Sequence, residues 1–167
     1  MEEKGEFQNA TAARIAAFLR SIGLGVRAGA VEPPSILPGI RIEQGELVVD
    51  EERLLYPGDL LHEAGHLAVL PGETRKSQGA EAGDDLGNEI GAICWSYAAA
   101  IHLRIDPAIV FHAHGYRGAS ESYIENFTEG RYVGVPLLEW MGMTLGEKSA
   151  RERGAEPYPK MARWLRE

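Results

Sequence analysis

Five consecutive residues, His62-Glu63-Ala64-Gly65-His66, carry the clearest chemistry in the chain. Helical spacing puts the two imidazoles four residues apart on one face, so their nitrogens can converge on a single cation. Glu63 follows His62 by about 100° around the helix and so stands beside that cation rather than on it. There it can take a proton from a polarised water and pass it to a leaving group. Zinc suits such a set, because it accepts imidazole nitrogens and brings the pKa of a bound water to about 7. A random chain of similar length contains the pattern on the order of once in 200. The flanking residues Leu60, Leu61, Ala64, Gly65, Leu67 and Ala68 are uncharged and predict a buried helix. Two histidines and a glutamate on such a helix need partners. The plain alternative is a pair of hydrogen-bonded core histidines next to a paired glutamate.

Catalytic zinc keeps three protein ligands and one open position. Glu89, in the first turns of the next predicted helix and four residues before the apolar Ile93, is the preferred third ligand. It could equally be an N-terminal helix residue favoured by the dipole. Glu81, Asp84 and Asp85 are further alternatives that read more as loop or cap residues. Beyond that helix, His112, His114 or Tyr116 in a glycine-bounded loop could donate to a developing oxyanion. His114 and Tyr116 are the candidates carried forward. An extended His112-Ala113-His114 would also project both rings from one face, a geometry suited to a second metal. His102 lies about 220° around the helix from Glu89 and points elsewhere. Tyr97 reads as a core residue, Cys94 as a buried, inert thiol, and Trp95, Trp140 and Trp164 as core. The Gly115-to-Ser120 stretch lacks the Gly-Lys-Ser/Thr ending of a phosphate loop.

These residues require elements to position them. Apolar spacing predicts a first helix over 9–22, with Asn9 or Thr11 as cap. Residues 31–38 carry three prolines and read as an extended connector. A hairpin is expected over 40–49 about Gln44-Gly45. The active-site helix spans about 59–70, with Asp59 as N-cap and Pro71-Gly72 as stop. An exposed loop over 72–83 follows. The third-ligand helix spans about 84–104, capped by Asp84 or Asp85, with a stripe of Leu86, Ile90, Ile93, Tyr97 and Ile101. Further pieces are expected at 108–111 (strand or helical turn), 120–127 and 134–141 (helices), and 159–165, a final turn or two. The fold class that results is α+β, mainly helical with a small antiparallel sheet, and all 167 residues read as a single domain.

Composition bounds the rest. Seventeen Lys and Arg against 25 Asp and Glu give a formal charge of -8. That balance argues against nucleic acid as a partner, since such binding rests on phosphate neutralisation. No apolar run approaches the ~18 residues of a membrane span. The acidic start from Met1 to Glu6 has no apolar h-region, and Cys94 is the lone cysteine. A cytoplasmic protein without a secretory signal is the expectation.

Residues 58–105 resemble the gluzincin metallopeptidases, in which H-E-x-x-H on one helix is completed by Glu on the next. Within that group, His62-Glu63-Ala64-Gly65-His66 followed by Glu89 is similar to the ImmA/IrrE-type proteases, which tend to be short and soluble with a hairpin before the active helix. The resemblance implies a zincin-like domain with His62, His66 and Glu89 holding one Zn2+ and Glu63 as general base. It also implies a zinc-dependent hydrolase, a peptidase or amidase acting on a peptide or protein. A metal-stabilised regulatory or binding module without turnover is the alternative. The metzincin pattern is excluded, because Val69 stands where that family has glycine and no third histidine follows.

Overall fold

A computed structural model of the chain describes residues 6–35, 37–79 and 85–167. Glu81 and Asp84, two of the ligand or cap alternatives, lie outside them, as do residues 1–5. Helix α1 (Ala10–Ser21) starts where expected, with the Asn9 side chain accepting from Ala12 N–H at 2.9 Å. Its buried face, Ala12, Ile15, Ala16, Phe18 and Leu19, packs into a hydrophobic cluster that unites helices and sheet. Strands β1 (Val26–Ala28), β2 (Ile40–Glu43) and β3 (Glu46–Val49) form a sheet in the order β1-β3-β2. Gln44 and Gly45, with φ of 47° and 76°, make the two-residue left-handed turn that joins β2 to β3. A Cβ on Gly45 would stand 2.3 Å from the Arg75 carbonyl oxygen, so the residue must be glycine on two grounds.

The sheet is mixed, which corrects the antiparallel expectation: β1 runs parallel to β3 while β2 runs antiparallel to it. Three residues between Gly25 and Gly29 are too few to show alternation. The strand is held by its pairing, through Leu47 N–H to Gly25 O at 2.9 Å and Gly29 N–H to Val49 O at 3.0 Å.

Helices α2 (Asp59–Ala68) and α4 (Leu86–Leu103) form the central packed pair, with α3 (Gly72–Lys76) between them in sequence. The short α3 lies inside the stretch expected to be loop. A Cβ on Gly65 would meet the Ala92 carbonyl oxygen at 2.8 Å, so glycine lets α2 lie directly on α4. Ser96 supports the same seam, donating to Ala92 O at 2.5 Å with Leu61 O 3.3 Å away. Asp85 caps α4 as expected, accepting from Gly87 N–H. The proposed apolar stripe on α4 is corrected at both ends: Leu86 is 73% and Ile101 42% exposed. From Gly91 to Ala100 the helix is buried on every side, so no stripe was there to find.

After Arg104 closes α4 in a left-handed conformation, Asp106 caps α5 (Pro107–Val110). A 3-10 turn (Tyr116–Gly118), α6 (Ser120–Thr128), α7 (Val135–Trp140) and α8 (Glu147–Arg153) follow. Only Ala150 of α8 is buried, so its sequence offered no periodic signal. Residues 159–165 dock on the body but form no helical turn. Their backbone groups bond to distant partners instead: Ala162 N–H to Met143 O, Lys160 O to the Thr144 hydroxyl, and Trp164 O to the Trp95 indole at 2.9 Å. Trp95 is fully buried, whereas Trp140, expected in the core, is 74% exposed beneath the Arg166 guanidinium. Among the described residues no helix is long and apolar enough to cross a membrane.

Candidate metal centre

The cluster is built where α2 and α4 touch. Glu89, in the first turn of α4, reaches across to both histidines of α2: its Oε1 lies 3.4 Å from His62 Nε2 and its Oε2 2.9 Å from His66 Nε2. The two imidazole Nε2 atoms are 3.1 Å apart. Two ligand atoms each ~2.0–2.1 Å from a tetrahedral zinc stand about 3.3–3.4 Å from one another. The observed separations of 2.9, 3.1 and 3.4 Å, the first and last measured to different Glu89 oxygens, lie close to that spacing. Among the described residues these three form the one group of His, Cys, Asp and Glu side chains able to hold a metal ion. His66 is 4% exposed, His62 12% and Glu89 36%, so the cluster opens toward solvent on the α4 side.

Burial pushes the His62 imidazole down to about 4, and the neighbouring His66 adds to the effect. The ring is therefore neutral at physiological pH, with a lone pair ready for a cation. Nδ1 of each histidine is buried without a hydrogen-bond partner among the described residues. Ring orientation is fixed by packing instead: His62 stands edge-on to His66 at 4.6 Å and to Tyr116 at 5.1 Å. The Glu63 carboxyl is pushed up to about 7, chiefly by burial, while Asp59 and Glu89 raise it further and His66 opposes them. A carboxyl near neutrality can both accept and return a proton.

Tyr116 reaches the cluster from the loop after α5. Its φ of 57° is unusual for a bulky side chain and marks backbone strain of about 1–3 kcal/mol. The ring packs against Phe111 and Tyr123, and its buried hydroxyl has no partner among the described residues. Burial and the nearby carboxylates hold that hydroxyl well above its ordinary pKa, so it remains a donor.

Asp59 corrects the capping expectation. Gly58 occupies the N-cap of α2, and the Asp59 side chain turns inward to lie 2.7 Å from His112 Nε2. Asp59 is buried and His112 nearly so, and desolvation raises the Asp59 pKa while His112 counters it. His112 stacks on Tyr56 at 4.0 Å. The structure therefore brings His62, Glu63, His66, Glu89 and Tyr116 together. It does not place His114 with them: that ring is exposed and rests against Tyr56 and His112. The His112 Nε2 is committed to Asp59, and neither His112 nor His114 belongs to a group of three or more possible ligands among the described residues. Asp85, a ligand alternative, is spent as a helix cap.

Sequence reasoning missed Asp59 and Arg41 as neighbours of the site. Asp59 was within reach, since it precedes His62 by three residues and Glu63 by four and so shares their helical face. Arg41 gave no local signal, because it meets Glu63 only across a pocket of about 80 Å³ between α2 and the β2 edge.

No protein-family model, curated protein or solved structure matches the chain. Fold and site by themselves define a mainly helical α+β domain with a His–His–carboxylate cluster that could hold a metal ion.

Proposed function

We propose that the protein is a zinc-dependent hydrolase of peptide or amide bonds, with His62, His66 and Glu89 as ligands and Glu63 as general base. The observation that carries this reading is the convergence of three ligand atoms from two interlocked helices, with the Glu63 carboxyl beside them. His62, His66 and Glu89 would hold a divalent ion, which would supply Lewis acidity and make a water easier to deprotonate. Glu63 accepts the proton of the attacking water and returns it to the leaving nitrogen. The Tyr116 hydroxyl, buried and unpartnered, donates to the oxyanion that develops on the carbonyl.

The test is proteolysis of a library of proteome-derived peptides by zinc-loaded protein, read by mass spectrometry. New termini that vanish on chelation and return with zinc are expected. A product profile that chelation leaves unchanged contradicts the proposal. One observation favours a second reading, a metal-stabilised binding module without turnover: the space adjoining Glu63 is only about 80 Å³. That reading predicts zinc binding with no chelator-sensitive cleavage.

A further inference from the structure

We propose that His112, held by Asp59, positions Tyr116 against the metal cluster. The inference rests on the peptidase reading, in which the Tyr116 hydroxyl meets the oxyanion, and names the pair that delivers it. Tyr116 needs such a device. Its backbone sits at a φ of 57°, a conformation that a bulky residue keeps only where its surroundings impose it. Ring contacts with Phe111 and Tyr123 steady the side chain, but the hydroxyl forms no hydrogen bond among the described residues and so anchors nothing. The anchor lies four residues earlier. Asp59 is 3% exposed, and the one hydrogen bond its carboxylate makes among the described residues is that at 2.7 Å to His112 Nε2. A bond to an enclosed carboxylate is among the stronger kinds, of the size needed to hold a strained residue in place.

The pair lies on a closed circuit that begins and ends on α2. Gly58, at the N-cap, lets the chain of α5 come so near that a Cβ would stand 2.0 Å from the Ile109 carbonyl oxygen. Three residues beyond that contact, the His112 ring is stacked on Tyr56 at 4.0 Å and 15°, which fixes the plane in which Nε2 meets Asp59. His112 then opens the turn that carries Tyr116. Its carbonyl accepts from Gly115 N–H at 3.2 Å, and a Cβ on Gly115 would stand 3.2 Å from the His112 ring. Tyr116 follows at once and meets the His62 ring edge-on at 5.1 Å. His62 lies three residues after Asp59, about one turn along the same helix. The helix that carries two of the ligands therefore also sets the place of the tyrosine, and releasing His112 frees the turn at its first residue.

Two readouts separate positioning from general support of the fold. In nuclear Overhauser spectra of metal-free protein with labelled Tyr and His, wild type should show a cross-peak between the Tyr116 and His62 rings. His112→Ala should lose it while keeping the His62–His66 cross-peak, and His112→Gln, whose amide N–H still reaches Asp59, should keep both. Asp59→Ala breaks the same bond from the other side and should repeat the His112→Ala pattern. In kinetics on a peptide that zinc-loaded wild type cleaves, His112→Ala should lower kcat about 10–100-fold with KM within about threefold, because the oxyanion contact is made only in the transition state. His112→Gln should recover most of that loss. Tyr116→Phe should lower kcat about 10²–10³-fold, and adding His112→Ala to it should cost less than about twofold more. A Tyr116–His62 cross-peak that survives in His112→Ala, or losses that multiply in the double variant, overturns the assignment while leaving the peptidase intact. If wild type cleaves no peptide, the peptidase reading fails and the spectra alone decide: loss of the cross-peak in His112→Ala upholds the positioning role, and its survival overturns it.

Discussion

Replacing Glu63 by glutamine is expected to lower turnover by about 10²–10⁴-fold while leaving metal affinity within a few-fold of wild type. Glutamine keeps the size and an acceptor oxygen, so attacking water can still be oriented. It cannot take the proton, and the step that activates the water is lost. Glu63 is not among the atoms that converge on the cation, so the metal should stay. Steady-state kinetics together with zinc analysis of the same sample read both halves of the expectation.

The same variant has a pH signature in the metal-free protein. The carboxyl is raised from its ordinary 4.5 to about 7, so folding favours its protonated form. Stability tied to that group is fully present below pH 4.5 and is lost as pH climbs through 7. Glu63→Gln should therefore stabilise metal-free protein at pH 8 by up to about 3 kcal/mol and leave it nearly unchanged at pH 4. His62 acts in the opposite direction: its pKa is depressed to about 4, so its contribution is present above 6.5 and lost as pH falls through 4. It is common to both proteins and cancels in the comparison, which denaturant titrations at the two pH values can measure.

The second large effect is the loss of the metal in His66→Ala. His66 is the most enclosed of the three ligands and sits closest to both others, 2.9 Å from Glu89 and 3.1 Å from His62. Its removal leaves one imidazole and one carboxylate, and zinc affinity should fall by at least ~100-fold, beyond what altering an outer-shell partner costs. Zinc at 100 times its Kd stabilises a protein by ~2.7 kcal/mol, which in a chain of this size raises Tm by about 5–10 °C. Wild type should show that shift, and His66→Ala should show less than about 2 °C of it at the same zinc concentration. The zinc-induced shift is the proper readout, because deleting a buried ring also lowers the metal-free Tm through lost packing.

How much of this was legible in the sequence follows from which residues act locally. The Asn9 and Asp85 caps, the Gln44-Gly45 turn and the α2 motif depend on neighbours within four residues, and each stands where its spacing placed it. The joining of Glu89 to His62 and His66 was also within reach, since Gly65 and Ala92 are small enough to let two buried helices meet. What escaped depended on tertiary partners. Strand β1 exists through its pairing with β3, and residues 159–165 give their hydrogen bonds to Met143 and Thr144 rather than to a helix. Asp59 had the signature of a cap, yet a half-buried His112 53 positions away competes for its carboxylate and wins. His114 shares its loop with Tyr116, but only Tyr116, turned by its left-handed backbone, faces His62.

The central claim is that His62, His66 and Glu89 bind one zinc ion. Anomalous diffraction at the zinc edge, from crystals grown with equimolar zinc, tests it most directly. A single strong peak ~2.0–2.2 Å from both Nε2 atoms and from a Glu89 carboxylate oxygen is expected. A zinc-saturated crystal with no peak between these three side chains, or with its peak at His112 and His114 instead, would contradict it.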